Sequence, residues 1–284
     1  MGTRRLVEGP DAAAWLEGRR ALAEEQLAKD KTPVAPFWVN KYKTDVAKNW
    51  DLFYKQHRQN FFKDRHWMRH EFSEVFAVDA GSARRVLLEV GCGVGNLVFP
   101  TMEEVAKRDA ALSSPPPALF AYACDFSPRA IALVKANPMY DTSKCLGFVA
   151  DIVKDDLTET VTELADFVTS IFVLSAIAPE NMATAVANLA KVLKPGGILY
   201  FRDYGLYDHA QLRFQSGHRL SEGCYARSDG TLSFYFSIER VRELFEAAGL
   251  QVVSLEYAIN QTTNTKLNVT FERVFVHAKV RKPL

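Results

Sequence analysis

Across 284 residues there are only four cysteines, Cys92, Cys124, Cys145 and Cys224, with no CxxC pair among them. That excludes a disulfide framework and predicts reduced thiols in a cytoplasmic setting, with the nucleus as a second expected location. Charge of one sign is also missing. Lys plus Arg number 35 against 34 Asp plus Glu, so any nucleic-acid affinity must come from local clustering. No apolar run is long enough to span a bilayer; the best stretch, residues 167–178, is short and carries Thr169 and Ser170. Arg4 and Arg5 are followed by Glu8 and Asp11 rather than an apolar stretch, which fits neither a secretory signal nor a transit peptide. Repeats and low-complexity tracts are absent. What remains is ordinary globular composition, 48% hydrophobic and 24% charged, in a chain long enough to bury a sizeable core.

The pattern of elements divides the chain. Residues 11–29, rich in Ala, Leu, Glu and Arg, predict a helix ended by Pro33 and Pro36. Between residues 41 and 70 lysines and arginines outnumber acids and are interleaved with aromatics, and Trp50, Phe53 and Tyr54 share one helix face. After Gly81, strands alternate with helices. Strands are expected at 84–90, 119–124, 146–150, 166–173 and 198–201, and helices at 96–107, 127–136 and 181–193, the last closed by Lys194-Pro195-Gly196-Gly197. Such spacing implies βαβ units and a parallel sheet with helices on both faces. The segment after residue 201 is expected to be irregular, then to give a strand at 231–236, a helix at 239–248 and two strands, 250–259 and 270–279, that pair antiparallel. The expected architecture is a helical arm, residues 1–80, before an α/β domain, residues 81–284.

At the first strand–helix junction stands Glu89-Val90-Gly91-Cys92-Gly93-Val94-Gly95. A dinucleotide fingerprint needs GxGxxG to seat a pyrophosphate. Counted from Gly91 the last glycine falls on Asn96, and from Gly93 on Val98, so both registers fail. An acidic residue followed by GxGxG suits a ligand without phosphate, S-adenosylmethionine above all. Asp125 ends the next strand, where a carboxylate can accept both ribose hydroxyls; Asp151 ends the third, placed for an adenine amino group.

This pattern resembles the class I S-adenosylmethionine-dependent methyltransferases, whose Rossmann-like sheet is mostly parallel with an antiparallel C-terminal strand pair. Four further segments narrow the resemblance: Asn49-Trp50-Asp51-Leu52-Phe53-Tyr54 with Phe61-Phe62-Lys63-Asp64-Arg65-His66-Trp67; Cys124-Asp125-Phe126-Ser127-Pro128-Arg129-Ala130; Ile171-Phe172-Val173-Leu174-Ser175-Ala176; and Phe201-Arg202-Asp203-Tyr204-Gly205-Leu206-Tyr207-Asp208. They are similar to those of the tRNA N3-methylcytidine methyltransferases, and the short arm is most similar to the serine-tRNA type. The resemblance implies methylation at position 32 of the anticodon loop, with seryl-tRNA synthetase as a helper in some members. It also implies cofactor contacts from Trp50, Tyr54, Gly91, Gly93, Gly95, Asp125, Asp151, Ile152 and Ile171. The chain departs from the pattern with Ile152 where Leu is usual, Ala178 where His is expected, and a longer loop at 113–117.

Transfer to cytosine N3 needs alignment rather than a strong base, because the ring nitrogen's lone pair is free at neutral pH. Positive charge develops on the base, so Asp203 is the expected catalytic carboxylate; its alternative role is to cap a following helix. N3 lies on the Watson–Crick edge, so the base must be unpaired and turned inward. Arg58, Phe61, Lys63, Arg65, His66, Tyr204 and Arg213 are the expected RNA contacts. Arg213, Arg219 and Arg227 could hold phosphates or form a charged loop. His66 and His70 lack a third ligand, so no metal is expected; a monomer is. Two alternatives stay open: a small-molecule methyltransferase in which residues 41–70 form only a lid, and an RNA-binding partner without turnover.

Overall fold

The computed structural model describes residues 3–57, 73–76, 84–112, 118–264 and 269–284. Two compact units interleave along the chain: residues 1–46, 172–183 and 201–280 form one, and 47–171, 184–200 and 281–284 the other. The first begins with strand β1 (Thr3–Glu8), helix α1 (Gly9–Ala28) and helix α2 (Pro36–Thr44), with α3 (Val46–His57) following directly.

Strand β2 (Val86–Val90) leads to α4 (Val98–Asp109), β3 (Phe120–Asp125), α5 (Pro128–Lys135), β4 (Cys145–Val149) and β5 (Ala165–Ile171). All five residues of β2, Val-Leu-Leu-Glu-Val, are buried, as a central parallel strand covered on both faces requires. Helix α5 starts where Pro128 presets the backbone and Ser127 accepts the Ala130 N–H at 3.2 Å. Arg85, at the foot of β2, is itself buried and bonds both the Val75 carbonyl (2.9 Å) and Asp109 at the end of α4.

Then come α6 (Met182–Val192), β6 (Leu193–Tyr204), β7 (Arg219–Ser221), β8 (Cys224–Ala226), β9 (Leu232–Phe234), α7 (Ile238–Ala247), β10 (Gln251–Asn264) and β11 (Val269–Arg281). One sheet has the order β1-β10-β11-β6-β5-β2-β3-β4, and β7-β8-β9 form a second, antiparallel one. β2 pairs parallel with both β3 and β5, and β3 with β4. Chain order therefore reverses beside β2, the switch point where open α/β sheets leave a crevice at the strands' carboxyl ends. The mostly parallel sheet and its antiparallel β10–β11 pair match the expected class.

The helix expected at 11–29 ends at Ala28, before Pro33, and Pro36 then opens α2 at its first position, where a missing N–H has no intrahelical partner to lose. Two segments differ from expectation. Lys194-Pro195-Gly196-Gly197 belongs to β6: Gly196 donates to the Lys282 carbonyl (2.8 Å) and Lys282 to that of Gly197 (3.0 Å). The segment after β6 is not irregular but supplies the small sheet that holds Arg219.

Asp208, wholly buried, accepts the N–H groups of Ala210 (2.7 Å) and Val274 (2.8 Å) and the Arg273 Nε–H (2.8 Å). Removing it leaves these donors without their shared acceptor. Asp208→Ala should cost about 3 kcal/mol, read as a lower urea midpoint with an unchanged slope.

Candidate cofactor site

The crevice beside β2 is lined by the glycine turn. Gly91, Gly93 and Gly95 take φ of 58°, 54° and 89°, a region that side chains rarely enter. At Gly93 a Cβ would lie 2.9 Å from the Tyr54 hydroxyl, and at Gly95 it would run into the Phe99 ring. The turn is pinned by backbone as well: Cys92 donates to the Cys124 carbonyl and Gly95 to that of Cys92, both at 2.9 Å.

Asp125, at the last position of β3, is 4% exposed. Its Oδ2 accepts the Gly93 N–H (3.0 Å) and its Oδ1 the Ser127 N–H (2.9 Å). Burial raises its pKa to about 6, partly offset by those two N–H groups, and the neighbouring Asp51 charge adds to the rise. Two bonds leave a carboxylate with further acceptor capacity, as ribose hydroxyls require. Cys92 is no nucleophile, since burial first, then Asp125 and Glu89, push its thiol well above the ordinary value.

Helix α3 supplies the expected aromatic stripe. Phe53 and Tyr54 are buried against Val94 and Ala130, and Trp50 packs on the same cluster. The buried Trp50 Nε1–H has no acceptor among the described residues. A donor left open at such a position fits a bound carboxylate or carbonyl group.

Asp151 and Ile152 reach the same unit through Ala150, whose N–H donates to the Asp125 carbonyl at 3.1 Å. Ile152 is buried, and its carbonyl accepts from Asn188 (3.0 Å). Asp151 turns Oδ1 to the Val153 N–H (2.9 Å) and Oδ2 to Lys154 (2.9 Å). Ile171, the buried last residue of β5, follows Ser170, which is in register with Val90. Every expected cofactor residue thus falls in one unit, around the carboxyl ends of β2, β3, β4 and β5.

The other unit holds Asp203. It does not cap the next helical turn, His209–Leu212; Asp208 does that. Asp203 is wholly buried and accepts the N–H groups of Ser175 and Tyr204, both at 2.9 Å. Burial lifts its pKa to about 6 against the pull of Ser175, Tyr204 and Arg227. The Tyr204 ring lies 5.0 Å from Phe172 and 5.8 Å from Tyr235, with the guanidinium groups of Arg227 and Arg273 over it at 5.4 and 5.6 Å. Phe172 sits at φ 61°, a strained conformation for an aromatic residue. Sequence reasoning singled out Tyr204 but neither Phe172 nor the stacking role of Arg227, whose side chain is not a free surface cation. Arg213 is exposed just after the His209–Leu212 turn. Arg58, Phe61, Lys63, Arg65 and His66 lie outside the described residues, as do His70 and the 113–117 loop. Among the described residues there is no cluster suited to a metal, and no helix is long and apolar enough to cross a membrane.

Three predictions concern the crevice. Asp125→Ala should abolish measurable S-adenosylmethionine binding by calorimetry, because the ribose loses its charged acceptor; affinity retained within a few-fold would refute that role. In the unaltered protein, affinity should fall about tenfold from pH 7 to pH 5 as Asp125 takes up a proton. Its effect on stability has the opposite sign. With its pKa raised in the fold, Asp125 contributes most below the unfolded value of 3.8, and that contribution is lost as pH rises through about 6. Separately, Gly95→Ala should lower the melting temperature and prevent binding, since both the positive φ and the Phe99 ring oppose a Cβ.

Comparison with known proteins agrees with this geometry. A methyltransferase-domain family matches residues 54–255. The chain is 47% identical over 92% of its length, and 88% of the relative's, to the tRNA N(3)-cytidine methyltransferase METTL6 of Homo sapiens. It is 41% identical over 88% of its length, and 97% of the relative's, to the tRNA N(3)-methylcytidine methyltransferase trm141 of Schizosaccharomyces pombe. Among solved structures, an S-adenosylmethionine-dependent methyltransferase from Anabaena variabilis shares the fold at a TM-score of 0.57, with 14% identity, covering 89% of this chain and 97% of that one. The glycine turn, its buried carboxylate and the extent of these matches lead to one conclusion: the chain belongs to the tRNA N3-cytidine methyltransferase family.

Proposed function

We propose that this protein methylates N3 of a cytidine in tRNA, at position 32 of the anticodon loop of serine tRNA. The observation that carries the reading is 47% identity across 92% of the chain to a human tRNA N(3)-cytidine methyltransferase. S-adenosylmethionine, when bound, supplies an electrophilic methyl group on a sulfonium. Gly91, Gly93, Gly95, Asp125, Trp50 and Tyr54 would hold it, with Asp151, Ile152 and Ile171 around the nucleoside end.

The chain's own residues supply position and charge. The cytosine must leave its stack, and an aromatic group such as Phe172, Tyr204 and Tyr235 offers faces for an unstacked base. Asp203 is enclosed, so it acts by holding Ser175 and Tyr204 in place and by placing negative charge where the methylated base becomes cationic. Residues 1–80 serve as the cap for tRNA and cofactor, with Arg58, Phe61, Lys63, Arg65 and His66 as RNA contacts and Arg213 as a phosphate contact. So small a basic segment supports a helper that brings the rest of the tRNA, a seryl-tRNA synthetase, to a monomeric enzyme in the cytoplasm and nucleus.

Nucleoside mass spectrometry tests this reading on serine tRNA incubated with purified protein and cofactor. N3-methylcytidine should accumulate at position 32. Asp203→Asn should reduce its rate at least tenfold while cofactor affinity stays within about twofold. Labelled methyl found only on metabolites, with tRNA unmodified, would overturn it.

A further inference from the structure

Asp51 sits between Leu52 and Trp50 in α3, in a segment whose charges suggest a solvated face. Its bonds run elsewhere. Oδ1 accepts the Ser127 hydroxyl at 2.8 Å and the Arg129 N–H at 3.4 Å, and Oδ2 pairs with the Arg129 guanidinium. Ser127 is in turn the N-cap of α5 and donates its own N–H to Asp125. One polar chain therefore runs from the helix carrying Trp50 and Tyr54, through Ser127, to the carboxylate at the centre of the cofactor crevice.

We propose that Asp51 is a positioning residue for the methyl donor: it fastens α3 to the start of α5 and thereby fixes the Trp50 indole and the Tyr54 hydroxyl over the glycine turn. This rests on the reading that S-adenosylmethionine binds in that crevice. Two observations separate the role from simple stability. The apolar cluster of Phe53, Tyr54, Val94 and Ala130 holds α3 in place without Asp51, so the helix survives its loss. The Tyr54 hydroxyl, however, stands so near Gly93 that a Cβ there would be 2.9 Å away, and an N–H donor one residue before Asp51 stays buried with no acceptor among the described residues. Groups set this closely lose effect when their support loosens by a fraction of an ångström. Arg129 is half exposed, with 49% of its side chain accessible against 22% for Asp51. An exposed ion pair alone contributes little; the bonds to Ser127 and to the Arg129 N–H make the contact directional.

Asp51→Ala and Asp51→Asn in the full chain test the assignment, with S-adenosylhomocysteine as the probe. In the ligand-free protein, amide exchange across α3 should quicken while the remaining amides keep their rates. Calorimetric affinity for S-adenosylhomocysteine should drop about tenfold in Asp51→Ala and less in Asp51→Asn, which keeps an acceptor for Ser127. KM for S-adenosylmethionine should rise in step, with kcat at saturating donor and KM for tRNA within twofold of the unaltered protein. Asp51→Ala should add little in an Arg129→Ala background, because the two share one contact. Wild-type protein that fails to bind the probe would overturn the cofactor reading and this assignment with it. Wild-type binding with Asp51→Ala affinity within twofold would overturn the assignment alone, as would a loss confined to kcat.

Discussion

A carboxylate removed from water at the end of β3 sets the terms for the crevice. Asp125 is almost wholly enclosed, and its two oxygens receive the N–H groups of Gly93 and Ser127. Burying a charge is costly unless hydrogen bonds replace its hydration. The glycine turn provides one of those bonds only because Gly93 can take a positive φ. The carboxylate thus selects the turn's conformation, and the turn makes the buried carboxylate tolerable. Ser127 carries the constraint outward by capping α5 and meeting Asp51, so the aromatic helix over the turn is tied to the same centre.

The other unit repeats the device. Asp203, near the end of β6, is enclosed and receives the N–H groups of Ser175 and Tyr204, as Asp125 receives those of Ser127 and Gly93. Burial lifts both to about 6. In each case an acid near a strand's carboxyl end accepts one N–H from the residues that follow it, Ser127 or Tyr204, and one from the loop after a neighbouring strand, Gly93 or Ser175. The acid's placement is a topological consequence, because strand ends are where backbone N–H groups of successive loops converge.

Much of this is legible in the sequence. The βαβ alternation showed in hydrophobic runs because parallel strands are covered on both faces, and the glycine turn and Asp125 showed because few residue types can serve there. Other features left no signal. β1 is six residues with two arginines and an acid, and it is a strand because β10 offers it an edge. The strands of the small sheet have three residues each, too short for any period. Asp51 reads as one charge among many, since Ser127 and Arg129 lie 76 and 78 positions away. Lys194-Pro195-Gly196-Gly197 looks like a stop until Lys282, from the far end of the chain, pairs with it.

The thiols carry a practical consequence. All four are buried, and burial is the leading cause that holds each above its ordinary pKa, Cys145 at about 12 and Cys224 at about 11. An alkylating reagent meets neither thiolate nor accessible sulfur in the closed molecule, so its reaction is governed by how often each region opens. Cys92 and Cys224, one in each compact unit, make covalent labelling an intrinsic clock for the breathing of the two halves, with no probe needing to be engineered in.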